Sequence, residues 1–282
     1  MSSNSPRPSK AERRDQAREQ ARQMREAQRK REQRNKFIAI GAVVVAVVVL
    51  VAVFFMVVRG TDQPGVAYTG DDIDTITLAD TTAPASAGDN GGIPVGQDGV
   101  AGETEDGNVV VSVYTDFMCP YCGQFEQVNG PELEALREEG GVTVEYHLLS
   151  FLDSQSRGAE YSTRAGNAAA VVADQAPEQF TDFFAALFED QPAEGSKGRT
   201  DAEIAQIARD AGVPDDVIDQ FTATADGQDW RTFAPWLQAN VNQMREDMGQ
   251  VGTPYVMIDG EQFQGDLYTA GALTQAVEAA KG

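Results

Sequence analysis

The chain has 282 residues, 41% of them apolar, and carries 22 Lys+Arg against 44 Asp+Glu for a formal net charge of −22. Two cysteines and one histidine are too few for a disulfide scaffold, and they leave a zinc site built on Cys119 and Cys122 short of nitrogen or sulfur ligands. The acidic excess reads as a solvated surface and gives no support to nucleic-acid binding.

Charge is unevenly placed. Residues 1–36 hold 12 of the 22 basic residues and 5 of the 44 acidic ones, leaving 10 and 39 for the rest. From Phe37 to Val58 the chain is uncharged and almost wholly Val, Ala, Ile, Leu and Phe; about 22 residues of helix span roughly 33 Å, enough to cross a bilayer. Basic residues crowd its N-terminal side, so the positive-inside rule predicts a cytoplasmic tail over 1–36, a single membrane-spanning helix over 37–58 and everything after Arg59 outside. A cleaved signal peptide fits less well, because the leader is long and no small-x-small site follows closely. The basic tail suits anionic lipid headgroups. Residues 59–90, rich in Gly, Asp, Thr, Ala and Pro, read as a flexible extracytoplasmic linker.

The folded domain is predicted over 91–282. Ile93-Pro94-Val95 reads as an edge strand and Val109 to Tyr114 as a strand buried on both faces. Pro120 then opens a helix through Phe125 and Val128, which Asn129-Gly130 is expected to end before Pro131 starts another. Val142, Val144, Tyr146 and Leu148 alternate with polar residues as a strand does, closing a β-α-β unit. Helices follow over Ala159 to Ala173, Pro177 to Glu189, Asp201 to Ala211 and Pro214 to Thr222, and a longer one carries Trp236, Leu237, Val241, Met244 and Met248. This helical insertion occupies about 155–249. Pro254 to Ile258 forms a strand, Asp259-Gly260 a hairpin turn, and a last helix holds Leu273, Ala276 and Val277.

Cys119-Pro120-Tyr121-Cys122 carries the chemistry. Two thiols so close in sequence close a tiny ring, which constrains little unfolded-chain entropy, so the pair reads as a redox switch rather than a staple. Cys119 falls at a helix N-terminus, where unpaired N–H groups and the dipole favour its thiolate. Its sulfur is expected to be exposed and acidic, with Cys122 one turn deeper and more protected.

With Asp116-Phe117 before the cysteines, Phe125 one turn on, Gly252-Thr253-Pro254 entering a strand and Asp259-Gly260 in a hairpin, the region from about residue 91 onward resembles the DsbA-like thiol-disulfide oxidoreductases of the thioredoxin superfamily, here with a membrane anchor. The resemblance implies an α/β thioredoxin-like fold with an inserted helical subdomain. It also implies a redox-active Cys119–Cys122 disulfide with Cys119 as nucleophile and Cys122 as resolving thiol, and Pro120, Tyr121, Thr253 and Pro254 as active-site neighbours. The Thr253–Pro254 bond is then cis, with the Thr253 backbone pairing with an extended client. Clients would be reduced or unfolded exported proteins, re-oxidation would fall to a quinone-linked membrane oxidase, and no cofactor or metal is called for. Two positions depart from the pattern. Relatives carry a proton-relay acid six residues before the first cysteine, where this chain has Val113, and Glu145 is the acid offered in its place. Strongly oxidising relatives often have His between the cysteines, where Tyr121 implies milder oxidising power. Glutaredoxins share the Pro-Tyr pair but lack room for so long an insertion. His147 is assigned no role. The leading expectation is a disulfide donor; the alternatives are a reductase or isomerase, and a tethered peptide-binding module that uses its cysteines little.

Overall fold

The computed structural model describes residues 66–225 and 227–282, which fall in the second of two units, residues 63–282. The expected tail and membrane-spanning helix therefore lie outside the described residues. Among the described residues, no helix is long and apolar enough to cross a membrane.

The second unit contains a five-stranded mixed sheet: β1 (Ile93–Val95), β2 (Val109–Thr115), β3 (Val142–Leu148), β4 (Tyr255–Ile258) and β5 (Glu261–Gln262), in the order β1-β3-β2-β4-β5. β2 and β3 run parallel, with Val111 opposite Val144 and Thr115 opposite Leu148. β4 lies antiparallel on the other side of β2, pairing Val256 with Val113. β2 is nearly continuous in apolar residues because both of its faces are covered. Helix α1 (Pro120–Glu138) connects β2 to β3 through Gly140 and Gly141, whose positive φ angles of 86° and 78° suit glycine. Asp259 and Gly260, at φ 47° and 80°, make the predicted hairpin turn between β4 and β5.

The insertion between β3 and β4 holds α2 (Tyr161–Gln175), α3 (Phe180–Phe188), α4 (Asp201–Asp210), α5 (Asp215–Ile218) and α6 (Ala234–Met248), and α7 (Ala272–Lys281) closes the chain. Thirteen of the fifteen α2 residues are buried, so the insertion has a core of its own rather than a single face laid on the sheet. Its alanines let neighbouring helices approach closely, while Phe180, Phe183, Phe184, Leu187 and Trp236 fill the space between them.

Two sequence expectations need correction. The helix expected to stop at Asn129-Gly130 runs unbroken to Glu138 with Pro131 inside it. Asn129 is fully buried and its amide donates to the carbonyls of Phe125 (3.1 Å) and Leu267 (2.8 Å), so a tertiary contact holds the helix where local signals favour a break. The flexible linker expected over 59–90 is, from Val66 onward, a strap packed on the domain. Glu160 accepts hydrogen bonds from the N–H groups of Val66 (2.6 Å) and Ala67 (2.8 Å), and Asp174 accepts one from Ala85 (2.8 Å). The Asn242 amide donates to the carbonyls of Ile73 and Ile76, both at 3.0 Å. Val66 and Ile76 of the strap are themselves buried. Composition understated this segment because main-chain hydrogen bonds, rather than apolar side chains, hold most of it.

Candidate active site

Cys119 is the N-cap of α1, with extended backbone angles, and Pro120 follows at the first helical position, where its missing N–H is no loss. The carbonyl of Cys119 accepts the first helical bonds, from the N–H groups of Cys122 (3.0 Å) and Gly123 (3.3 Å). Both cysteines are free thiols in the structure. Their burial corrects the expectation of an exposed sulfur: Cys119 is only 4% exposed and Cys122 1%, because Thr253 and the insertion close over the pair. Tyr121, between them, is 60% exposed and stands near Tyr268, with ring centroids 6.3 Å apart.

The structure brings Cys119, Cys122 and Thr253 together. The Cys119 thiol donates to the Thr253 carbonyl at 3.3 Å, and the Thr253–Pro254 peptide is cis. The two thiols are electrostatically unequal. A hydrogen bond from Cys122 to the Cys119 sulfur, helped by Thr253 and by the N–H groups of Cys122 and Tyr121, outweighs burial and lowers the Cys119 pKa to about 6. Burial, together with the same contact to Cys119, pushes Cys122 well above the ordinary thiol range, against opposing hydrogen bonds from Thr115 and Thr253. The arrangement gives one nucleophile and leaving group beside one sulfur that prefers its proton.

The turn before Cys119 is held by groups to which sequence reading gave no role. Asp116 is fully buried; its carboxyl accepts from the N–H of Met118 (2.8 Å), the Ser162 hydroxyl (2.6 Å) and the N–H of Leu152 (3.0 Å). Burial raises it to about 7 against the pull of these bonds, and the Asp153 carboxyl adds to the rise. Phe117 packs on Phe184 and Phe188 of α3, at centroid distances of 5.4 and 4.9 Å. Gln191, beyond α3, donates to the carbonyls of Phe117 (2.8 Å) and Cys119 (2.9 Å). Asp116 and Phe117 were visible as motif residues; Gln191 carries no sequence signal, being a polar loop residue far along the chain.

Val113 is buried in the sheet, as its place in β2 requires. Glu145, the acid offered as a substitute relay, is engaged elsewhere: it meets His147 Nε2 at 2.9 Å and accepts from Asn90 (3.1 Å) and Ser112 (3.1 Å). Burial alone would raise its pKa, but these contacts prevail and lower it. His147 stacks on Tyr114 with centroids 4.1 Å apart and completes that cluster.

Comparison with known proteins agrees with this geometry. The family model described as Thioredoxin matches residues 96–279. The oxidized crystal structure of DsbA from Mycobacterium tuberculosis is similar at 32% identity and a TM-score of 0.55, over 68% of this chain and 93% of that one. The reduced disulfide bond oxidoreductase DsbG of the same organism gives 31% and 0.54, over 70% and 90%. MdbA from Actinomyces oris, a thiol-disulfide oxidoreductase, shares the fold at 23% identity and a TM-score of 0.58, over 73% of this chain and 96% of that one. The serine/threonine-protein kinase PknE of Mycobacterium tuberculosis is 32% identical over 163 residues, which are 56% of this chain. The chain spans 28% of that kinase's length.

Proposed function

We propose, from the premise that the chain belongs to the thioredoxin family and is DsbA-like within it, that it is an extracytoplasmic protein thiol-disulfide oxidoreductase working through Cys119 and Cys122. The observation that carries this reading is the placement of the pair: Cys119 caps α1 with its thiol 3.3 Å from the Thr253 carbonyl while Cys122 is buried behind it, an arrangement that lowers the Cys119 pKa and raises that of Cys122. In the donor direction, a client thiolate attacks Cys119 Sγ of the oxidised pair. A bond forms between client sulfur and Cys119, the Cys119–Cys122 bond breaks, and Cys122 leaves with the electron pair and takes up a proton. A second client thiolate then attacks the client sulfur of the mixed disulfide, expelling Cys119 as a thiolate. The client has lost two electrons and the pair has gained them. Because Cys119 is a stable thiolate at neutral pH, the reduced state is favoured and the oxidised pair tends to hand its disulfide on.

The Thr253 backbone lies beside Cys119, which supports its pairing with an extended client segment as that segment's cysteine approaches. The apolar run over 37–58 and the basic residues before it support a single-pass anchor, with the tail in the cytoplasm against membrane lipid and the redox domain outside. Exported reduced proteins are then the clients, and a quinone-linked membrane oxidase is the re-oxidising partner.

The test mixes each protein, first oxidised with glutathione disulfide and freed of excess oxidant, with a reduced, unfolded client. Cys119→Ala should abolish client oxidation, and Cys122→Ala should accumulate mixed disulfides through Cys119, seen as a shift on non-reducing gels. Alkylation of Cys119 should rise through about pH 6 and level off above it, whereas an ordinary thiol rises through about pH 8.5. A Cys119→Ala variant that still oxidises client would sink the reading. A pair found mostly reduced in cells would turn the direction to reduction or isomerisation.

A further inference from the structure

We infer that Gln191, which the helical insertion presents to the turn before α1, is a positioning residue that fixes the Cys119 peptide groups and so sets how readily the Cys119 sulfur ionises. The inference rests on the disulfide-exchange reading above. Its basis is a chain of contacts that runs from the insertion into the redox turn.

Gln191 spends both hydrogens of its amide on carbonyls that flank the reactive residue, Phe117 (2.8 Å) and Cys119 (2.9 Å). The Cys119 carbonyl already accepts from Cys122 and Gly123 at the start of the helix. A third donor from outside the helix therefore pins the peptide plane between Cys119 and Pro120, and with it the angle at which the sulfur faces the N–H groups of Tyr121 and Cys122.

The loop that carries this side chain is itself held. Arg199 donates to the carbonyls of Leu187 (2.7 Å) and Asp190 (3.0 Å) and also bonds that of Glu189, bracing the loop that delivers Gln191. Asp190 takes a left-handed turn at φ 46°, which directs the next residue back towards the cysteines.

Gly123 supplies an independent sign. It lies in the first turn of α1, where glycine costs about 1 kcal/mol against alanine, and its φ is not in the left-handed range that favours glycine. A methyl group placed there would run into Oε1 of Gln191. Glycine at this position leaves room for the amide.

Two variants of the full chain test the inference. Gln191→Ala removes the amide, and Gly123→Ala displaces it while leaving Gln191 in the sequence. Each should weaken Cys119 ionisation about threefold, read by thiolate absorbance against pH. Each should also shift the equilibrium with glutathione, in which two glutathione thiols are oxidised as the Cys119–Cys122 disulfide is reduced, about threefold towards the protein disulfide, or about 14 mV. A merely structural Gln191 would lower the melting temperature and leave both readouts where they were. Unchanged ionisation and equilibrium in the two folded variants overturn the inference, and if Gln191→Ala does not fold, Gly123→Ala decides alone. A wild-type protein that fails to oxidise client sinks the functional reading instead, since the thiol titrations are measured without client.

Discussion

On one side of the folded unit, Val111, Val113, Val144 and Val256 of the sheet pack against Leu133 of α1 and Leu273 and Val277 of α7. On the other, Phe180, Phe183, Phe184 and Trp236 of the insertion form a larger cluster that also contains Phe117, Met118, Cys119 and Cys122. The first region supplies the β-strands and the helix on which the cysteines are mounted. The second supplies the packing around the sulfurs and the hydrogen bonds to the turn that carries them. A thioredoxin-like sheet thus gives the site its position, and the inserted helices pack around the sulfurs and brace the turn that carries them.

Matched core truncations should expose that division with the largest effects. Phe184→Ala removes the ring that meets Phe117, Phe188 and Tyr146 and should cost about 3–5 kcal/mol, while Leu273→Ala in the sheet cluster should cost about 2–5 kcal/mol. Urea unfolding measures both losses. Only Phe184→Ala should also raise the pH at which Cys119 ionises, because only it loosens the turn. An equal thiol shift in Leu273→Ala would erase the distinction between the two regions.

A smaller effect separates them by pH. Asp116 is buried under the insertion with its pKa raised to about 7. In the unfolded chain the same carboxyl ionises near pH 3.9, so between about pH 4 and 7 the unfolded state loses its proton first. Stability from this group is therefore full at acid pH and declines as pH rises through that window. Asp116→Asn does not titrate; it should cost about 1–3 kcal/mol at pH 5 through its mismatch with the Leu152 N–H, and the deficit should shrink by pH 7.5. Urea midpoints at the two pH values report it. A deficit constant with pH would mean that Asp116 is already ionised in the folded protein.

What was legible in the sequence divides along the same line. The cysteine pair after a valine-rich strand, Thr253-Pro254 entering β4 and Asp259-Gly260 in the hairpin are local signals whose physics acts within a few residues. The helical insertion was also visible, through periodicity. The grip of the insertion on the redox turn was not. Ser162, Leu152 and Gln191 meet Asp116, Phe117 and Cys119 only after the chain has folded back, and no spacing announces it. The unbroken α1 and the strap from Val66 were missed for a related reason: Asn129 and Glu160 supply hydrogen bonds across the fold that outweigh local breaker residues and a polar composition.

The strap offers a milder test on the insertion side. Glu160→Gln weakens the acceptor for the Val66 and Ala67 N–H groups and should cost about 1 kcal/mol, in keeping with loss of charge assistance. Thermolysin cleavage near Val66 and Ile76 should accelerate severalfold, with Cys119 ionisation unchanged. Resistance equal to the wild type would show that the Glu160 bonds add little to those from Asp174 and Asn242.

The smallest expected effect lies on the sheet side, at Glu145. A proton relay must accept and release a proton near the working pH, yet Glu145 is held low by His147, Asn90 and Ser112. It also sits opposite Ser112 in the sheet register, three rungs from the Thr115–Leu148 pair at the end nearer the cysteines. Glu145→Gln should therefore change the client oxidation rate by less than about twofold and leave its pH profile in place. In that case Cys122 exchanges its proton without a carboxylate from this strand, consistent with Val113 in the position where relatives carry an acid. A tenfold loss that grows below pH 7 would instead run the proton through the sheet, and the division of labour between scaffold and insertion would have to be redrawn.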